Sequence, residues 1–439
     1  MTENEKKIAL LFLDYCVWNL SLAIIVFLRN GSAGLNQYFD LFFLPFSFAF
    51  AFWFAAFLIF DLYQYSVFQN ITVLARAIFK SSALGAFFSI LYFYFLNHSS
   101  ITPKTILIAD LILFPVLLFI MRLVILKLFL HEAARKSVLL LGGGESLRAI
   151  NQHLVKNPAS GFRVACWALS EASVEELVRL VANHKIETIV LGSGVTSLKA
   201  CGLMGKGISV VDAVSFREDL NFEIPIEEAQ ESWFLSTLGH NQKDGYDVFK
   251  RIFDIILADV LFIIFSPILI LIALLIEITN DGSAIYTQTR VGLGGKIFTI
   301  YKFRTMKPNS ESGTPVFASK DDTRITILGR FLRHTHLDEL PQLWNILRGD
   351  MSFIGPRPER PEFVSEFSRV IKYYDLRQLV RPGITGWAQI NFSYGSSVAH
   401  AARKLCYDLY YVKNRSIFLD LKIILKTTLF FVLGEGRSV

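Results

Sequence analysis

The sequence predicts a membrane protein in three parts. An N-terminal four-helix transmembrane bundle covers residues 1–135, an α/β Rossmann-like cytoplasmic middle domain covers 136–240, and an α-rich C-terminal domain covers 247–439 and carries a re-entrant membrane helix at 250–279. Three observations carry this reading. Hydrophobic residues make up 53% of the 439-residue chain, charged residues only 19%, and 40 are Phe, a balance too apolar for an ordinary soluble protein. A buried-strand pattern running into three glycines opens at Lys136. A further apolar block, interrupted by Ser266 and Pro267, leads into a tract dense in arginine.

Four apolar runs make the bundle: Ile8–Leu28, Phe39–Phe60, Ser81–Leu96 and Thr105–Leu126. Most approach the roughly 20 residues that a spanning helix needs. Lys6, Lys7, Arg76, Lys80, Arg122, Lys127, Arg135 and Lys136 flank them on one side, Arg29 and Lys104 on the other. That asymmetry places the N-terminus and everything after residue 131 in the cytoplasm. Asp14, Asp61 and Asp110 lie near run ends, where interfacial placement is expected. The bundle reads as an anchor.

The stretch KSVLLLGGGESLR, Lys136–Arg148, is a strand, a glycine turn and a helix start. Gly142 and Gly144 match the first two glycines of GxGxxG, and Leu147 stands at the third. Strands at Val164–Ala168, Thr188–Leu191 and Ser209–Val211, with a helix at Val174–His184, continue the alternation of a small parallel α/β domain. Ser170 and Glu171 are a weak signal for a dinucleotide ribose, so a structural or sensing domain is the expectation.

The run Lys250–Thr279 is long enough to cross a bilayer. Pro267 removes a backbone donor in its middle, and Ser266 can satisfy groups freed there. Cations flank both ends: Lys243, Lys250 and Arg251 before it, Arg290, Lys296, Lys302 and Arg304 after it. With both ends expected in the cytoplasm, the helix is predicted to bend at Ser266–Pro267 and return; a plain kinked span is the alternative.

In the C-terminal domain, the stretch Arg330–Pro358 sets two adjacent carboxylates, Asp338 and Glu339, among Arg330, Arg333, Arg348 and Arg357. The bland reading is a capped helix, with Thr335 or His336 as N-cap and one of the acids as capping-box partner. The chemical reading is a reactive carboxylate pair amid phosphate-binding cations. Gly292, Gly294 and Gly295 before them permit close backbone approach to a phosphate.

Four blocks stand in order: KFRTM, LDELPQLWN, RGDMSFIGPRP and RPGITGWAQIN. Through them residues 247–439 resemble the bacterial sugar transferase family, the monotopic polyprenyl-phosphate phosphoglycosyl transferases, and the whole chain resembles its long members. The resemblance implies an enzyme that passes a hexose 1-phosphate, galactose or glucose, from a UDP-sugar to undecaprenyl phosphate and releases UMP. It implies a place at the first membrane step of O-antigen, capsule or exopolysaccharide synthesis, in the bacterial inner membrane. Asp338 would form a phosphosugar-aspartyl intermediate, and Glu339 would hold a magnesium ion, Mg2+, that offsets the diphosphate charge. Lys302, Arg304 and Arg333 would orient the dyad or a phosphate. Arg290, Pro356, Arg357, Pro358 and Arg381 would form the donor site, with Arg357 on the uridine diphosphate.

The remaining signals are modest. His334 and His336 read as cap or surface residues, Trp344 and Trp387 as core or interface residues. Residues 417–433 read either as an amphipathic segment on the membrane or as a packed core helix. Four scattered cysteines suggest neither disulfides nor zinc, and fit a reducing cytoplasm. A net charge of +6 suits membrane lipid and a phosphorylated substrate better than nucleic acid. A homodimer through the bundle and middle domain is expected.

Overall fold

The computed structural model describes residues 3–37, 42–63, 71–96, 104–129, 136–157, 160–195, 208–238, 243–279, 283–307, 324–392 and 397–433. The chain divides into two compact units, Met1–Ala213 and Val214–Val439.

Four helices open the first unit: α1 (Glu3–Gln37), α2 (Leu44–Ile59), α3 (Ile71–Leu91, continued by a π turn to Leu96) and α4 (Lys104–Phe129). The third starts at Ile71, ahead of both Ser81, where the apolar run begins, and Ala77, the earlier start that its shortness suggested. By length and composition, segments Ile8–Gly31, Ile71–Phe95 and Thr105–Ile125 can cross a membrane, and Leu44–Ile59 is a shorter apolar helix. Their shared core is aromatic: Trp18 and Trp53 each meet Phe114 edge-on, with ring centroids 4.9 Å apart. Gly85 makes room for it, since a Cβ there would lie 2.7 Å from the Trp53 ring.

Two of the three bundle acids, Asp14 and Asp110, are buried among the helices, whereas Asp61 is partly exposed in the turn after α2. Asp14 and Arg122 are both fully buried and pair at 2.7 Å, and buried Asp110 accepts from Ser21 Oγ. Asp14 and Asp110 thus each have a polar partner on a neighbouring helix.

The middle part holds β1 (Lys136–Leu141), α5 (Glu145–Lys156), β2 (Phe162–Ala168), α6 (Val174–His184), β3 (Thr188–Leu191) and β4 (Ser209–Asp212). The strands form one parallel sheet in the order β2-β1-β3-β4. Gly142 turns out of β1 at φ 100°, a conformation that favours glycine. Gly143 and Ser193 then exchange backbone hydrogen bonds between the ends of β1 and β3 (3.3 and 2.8 Å). Leu147, at the third glycine position, is buried against Gly192.

The second unit begins at Val214, not after residue 240 as the sequence suggested. It comprises α7 (Ala213–Asn221), α8 (Glu231–Leu238), α9 (Asp244–Thr279), β5 (Ile285–Val291), β6 (Ile297–Phe303), α10 (Ile327–His334), α11 (Gln342–Arg348), β7 (Ser352–Ile354), α12 (Pro361–Val370), β8 (Gly383–Thr385), α13 (Trp387–Asn391), α14 (Val398–Asn414) and α15 (Ile417–Leu433). The β5–β6 hairpin is antiparallel and the β7–β8 pair parallel. The backbone stays helical through Ser266 and Pro267, and Ser266 Oγ donates to the Ile263 carbonyl (2.8 Å). Residues 417–433 form a helix whose Ile423 lies in the core with Trp387 and Tyr411.

Candidate active site

Packing of three short elements sets the carboxylate pair. Thr326 caps α10, its Oγ1 accepting from Gly329 N–H at 2.9 Å. At the far end His336 takes a left-handed φ of 55° and turns the chain into a single 3-10 turn, Leu337–Glu339. Leu337 joins the core of Phe303 and Leu332. Asp338 and Glu339 are left beside the end of β6. The alternative of a capping box is not met: Thr335 donates back to the Phe331 carbonyl (2.9 Å), and no His336 side-chain bond caps the turn.

The two acids face opposite pulls. Glu339 Oε1 accepts from Lys302 Nζ at 2.6 Å and from Arg357 at 3.2 Å. Burial works to raise the Glu339 pKa, but these two cations overcome it and hold the carboxyl well below the ordinary range. Asp338 is 9% exposed. Burial and its neighbour Glu339 push its carboxyl up to about 6, against Lys302, Arg333 and Arg357. Burial also lowers the Lys302 ammonium and the His336 imidazole, with Glu339 opposing in both. One carboxylate is thus firmly ionised, and the other is ionised at neutral pH but held at a cost.

Asn345 locks this arrangement to the hairpin. It is fully buried on α11; its Nδ2 donates to the Thr299 carbonyl (2.7 Å) and its Oδ1 accepts from Tyr301 N–H (3.1 Å). The side chain therefore pairs with β6 as a strand would, next to Lys302 in sequence. Arg333 braces the same strand end, donating from Nε to Thr305 Oγ1 (2.8 Å).

Arg357 comes from the turn after β7. Close backbone contact holds that turn: a Cβ on Gly355 would lie 2.2 Å from the Arg381 carbonyl, and one on Gly383 2.1 Å from the Gly355 nitrogen. Two of the sequence blocks are thus welded backbone to backbone. Behind them lies a buried charge network. Arg377 donates to the Arg357 carbonyl (2.8 Å) and pairs with Asp408 on α14 at 2.8 Å; Lys404, one turn earlier, pairs with Glu359 at 2.6 Å. Burial would raise the Glu359 pKa, but Lys404, Arg377 and Arg290 bring it down to about 2. Pro356, Arg357 and Pro358 line a small cleft with Gly292, Gln378 and Val380.

Of the site residues read from sequence, Asp338, Glu339, Lys302, Arg333 and Arg357 come together. Arg304 makes no hydrogen bond or ion pair to either acid. Arg290 sits behind the turn, donating to the Pro358 carbonyl (3.0 Å) and to Gln288 Oε1 (2.6 Å). Arg381 donates to the Gly349 carbonyl (3.1 Å), beside Arg251, which takes the carbonyls of Ile346 and Leu347 (2.6 and 2.9 Å). Both cations therefore cap the C-terminal end of α11. Sequence reading missed Asn345, Arg377, Lys404, Glu359 and Asp408. Asn345 closes the LDELPQLWN block and Glu359 follows GPRP, so both stood beside signals already noticed.

Among the described residues no cluster of three or more His, Cys, Asp or Glu could hold a metal ion. The adjacent carboxylates Asp338 and Glu339 remain, with Glu339 ionised and only its Oε1 engaged by the cations. One or two carboxylates completed by substrate oxygens is how magnesium is usually held, so the donor set fits that ion.

The family model described as Bacterial sugar transferase matches residues 245–434. A protein of Aeromonas hydrophila named UDP-N-acetylgalactosamine-undecaprenyl-phosphate N-acetylgalactosaminephosphotransferase is 44% identical over 191 residues, 44% of this chain and 45% of its own length. A UDP-glucose:undecaprenyl-phosphate glucose-1-phosphate transferase of Klebsiella pneumoniae is 43% identical over 182 residues, 41% of this chain and 39% of its own. The match thus spans less than half the length of these two relatives. An undecaprenyl-phosphate galactose phosphotransferase of Salmonella typhimurium is 31% identical over 337 residues, 69% of each chain.

Proposed function

Since the chain belongs to the bacterial sugar transferase family, we propose that it moves a hexose 1-phosphate from a UDP-sugar to undecaprenyl phosphate and releases UMP. The observation that carries this reading is the divided pair: Glu339 held ionised by Lys302 and Arg357, and Asp338 beside it with no such ion pair and its carboxyl raised to about 6. A raised carboxylate is the better nucleophile of the two once ionised.

In this mechanism an oxygen of ionised Asp338 attacks the β-phosphorus of the donor. The bond to the bridging oxygen breaks, UMP leaves, and the sugar phosphate stays esterified to Asp338. An oxygen of undecaprenyl phosphate then attacks the same phosphorus and returns Asp338 as a carboxylate. Arg357, which joins the dyad to the cleft, binds the donor diphosphate, and Lys302 keeps Glu339 ionised. Magnesium bound at Glu339 and the substrate oxygens would offset the charge of the diphosphate. Because relatives carry glucose, galactose and N-acetylgalactosamine in their names, galactose or glucose leads and the N-acetylated sugar follows.

The re-entrant course of α9 belongs to the same proposal, as does an inner-membrane place with both soluble parts in the cytoplasm. Lys250, Arg251 and Asp254 tie the start of the helix to Asp420, to the end of α11 and to Phe353 N–H. From Val260 to Ile276 there is no charge, 17 residues. By length and composition Gly245–Thr279 can cross a membrane, but its charge-free stretch is about 26 Å as a straight helix, at the low end of what a span needs. Ala258 shares a core with Ile300, and Ile272 and Ile276 share one with Phe303. On a straight helix Ala258 and Ile276 would be about 27 Å apart, whereas three residues of strand span about 10 Å. These shared cores favour a kink at Ser266–Pro267 within a helix that is otherwise continuous.

The test is the by-product and the covalent adduct. Purified protein with undecaprenyl phosphate, magnesium and a panel of UDP-sugars should release UMP. A quenched reaction without lipid should add the mass of a hexose phosphate to the peptide containing Asp338. Release of UDP, or product formation by Asp338→Asn at the wild-type rate, would overturn the mechanism.

A further inference from the structure

Residues 214–238 were expected in the middle domain and lie outside the family match, which begins at 245. They pack instead on the site-bearing unit. Ile224, Ile226 and Phe234 are buried with Phe367, Tyr374 and Leu409. Two acids in this segment are almost fully buried, Glu218 at 2% and Glu223 at 3% exposure, and both reach α14. Glu218 accepts from Lys413 (2.5 Å) and Asn414 (2.6 Å), and Glu223 pairs with Arg403 at 2.7 Å. Backbone joins in: Ile224 N–H donates to the Cys406 carbonyl (3.0 Å), and Trp387 Nε1 donates to the Phe222 carbonyl (2.9 Å).

Helix periodicity makes this grip informative. Lys404 and Asp408 are one turn apart, so they share a face of α14. That face holds Glu359 and Arg377, and Arg377 holds the Arg357 carbonyl. Arg403, Lys413 and Asn414 project from the other side, where the segment lies. Buried acids lacking such partners would be strongly destabilising, so these pairs resist any sliding of the segment on the helix.

We propose that residues 214–238 form a clasp that sets the position of Arg357 through α14, and so tunes binding of the donor diphosphate. The clasp is a positioning element and touches no substrate. It rests on the reading that Arg357 meets that diphosphate. Because the chain enters it directly from β4, a change in the middle domain has a covalent route to the donor site.

The experiment uses the full chain in phospholipid nanodiscs with UDP-glucose and UDP-galactose as donors. Glu223→Arg should raise the donor KM about tenfold, the equivalent of one charged contact, with kcat changed less than about twofold. The exchanged pair Glu223→Arg with Arg403→Glu should bring KM back to within about twofold of wild type. Glu223→Gln, a milder change that keeps the segment's shape, should raise KM by about threefold. Amide hydrogen exchange, which needs no donor, should quicken in 355–360 and 398–414 of Glu223→Arg and stay as in wild type across 327–348. Wild-type KM and wild-type exchange at 355–360 in Glu223→Arg would overturn the clasp, as would a raised KM that the exchanged pair fails to restore. Failure of the wild type itself to release UMP would count against the proposed reaction, and the exchange pattern would still decide the clasp.

Discussion

Lys302→Met isolates what one ammonium does for the dyad. It removes a charge 2.6 Å from Glu339 Oε1 and keeps a chain of similar length. The two side chains are 19% and 13% exposed, so the pair is mostly dry. Removing one partner of a buried pair costs about 3–5 kcal/mol, because the other charge is stranded. Arg357, at 3.2 Å, still serves Glu339 and puts this case at the low end, about 3 kcal/mol. For a unit of this size each kcal/mol moves Tm by about 2–4 °C, so a fall of about 6–12 °C is expected by thermal denaturation. The sign with pH follows from Glu339. Its carboxyl is held low in the fold, so the pair stabilises above the ordinary carboxylate range and stops doing so as pH falls. The gap between variant and wild type should therefore narrow in acid. Lys302→Met with Glu339→Gln removes the stranded charge and should recover most of the lost Tm. Neither variant should recover turnover, expected to drop about 10²–10³-fold. If Lys302→Met melts within a degree of wild type, or the double variant is no more stable than the single one, the reasoning from a buried ion pair is refuted.

Asp338 should give a pH–rate profile whose acid limb has an apparent pKa of about 6, since protonation there removes the nucleophile. Its raised carboxyl also means that stability is lost as pH rises through about 6. Asp338→Asn should thus melt higher than wild type at pH 7.5, by the equivalent of about 1–3 kcal/mol, while turning over no donor. Asn345→Ala leaves the Thr299 carbonyl and the Tyr301 N–H without their partner and should cost about 2–4 kcal/mol, read as a fall in Tm. A cysteine at Ser283, in a background without the four native cysteines, should escape an impermeant thiol reagent added to intact cells. Labelling from outside would mean that α9 crosses the membrane.

Local signals were legible where the chain's own period or chemistry sufficed. The apolar run into Gly142 is β1, and the helix read at Val174–His184 has those bounds. Pairings across long sequence separations were not legible. Asp14 and Arg122 stand 108 residues apart and were read as separate end charges, yet they neutralise one another inside the bundle. Residues 214–238 lack a motif and a compositional break, so nothing local distinguished a segment gripping α14 from the last turns of the middle domain. The capping box failed for a backbone reason, because His336 adopts a left-handed conformation that a side-chain preference does not announce. Arg290 and Arg381 were grouped with the site by charge, and carbonyls of the turn and of α11 claim their hydrogen bonds instead.

The order of the two acids follows from the same geometry. Glu339 carries one methylene more than Asp338, and it is the acid that bonds both Lys302 and Arg357. Were both carboxylates tied to cations, both would be strongly ionised and weakly nucleophilic. Were neither tied, burial and mutual repulsion would leave them sharing a proton near neutral pH. Committing the cations to Glu339 gives a fixed anion for a metal or phosphate to organise around. It leaves Asp338 raised by that same neighbouring charge and ionised above about pH 6. A two-step displacement at one side chain needs this asymmetry, because the group that attacks phosphorus must also leave it.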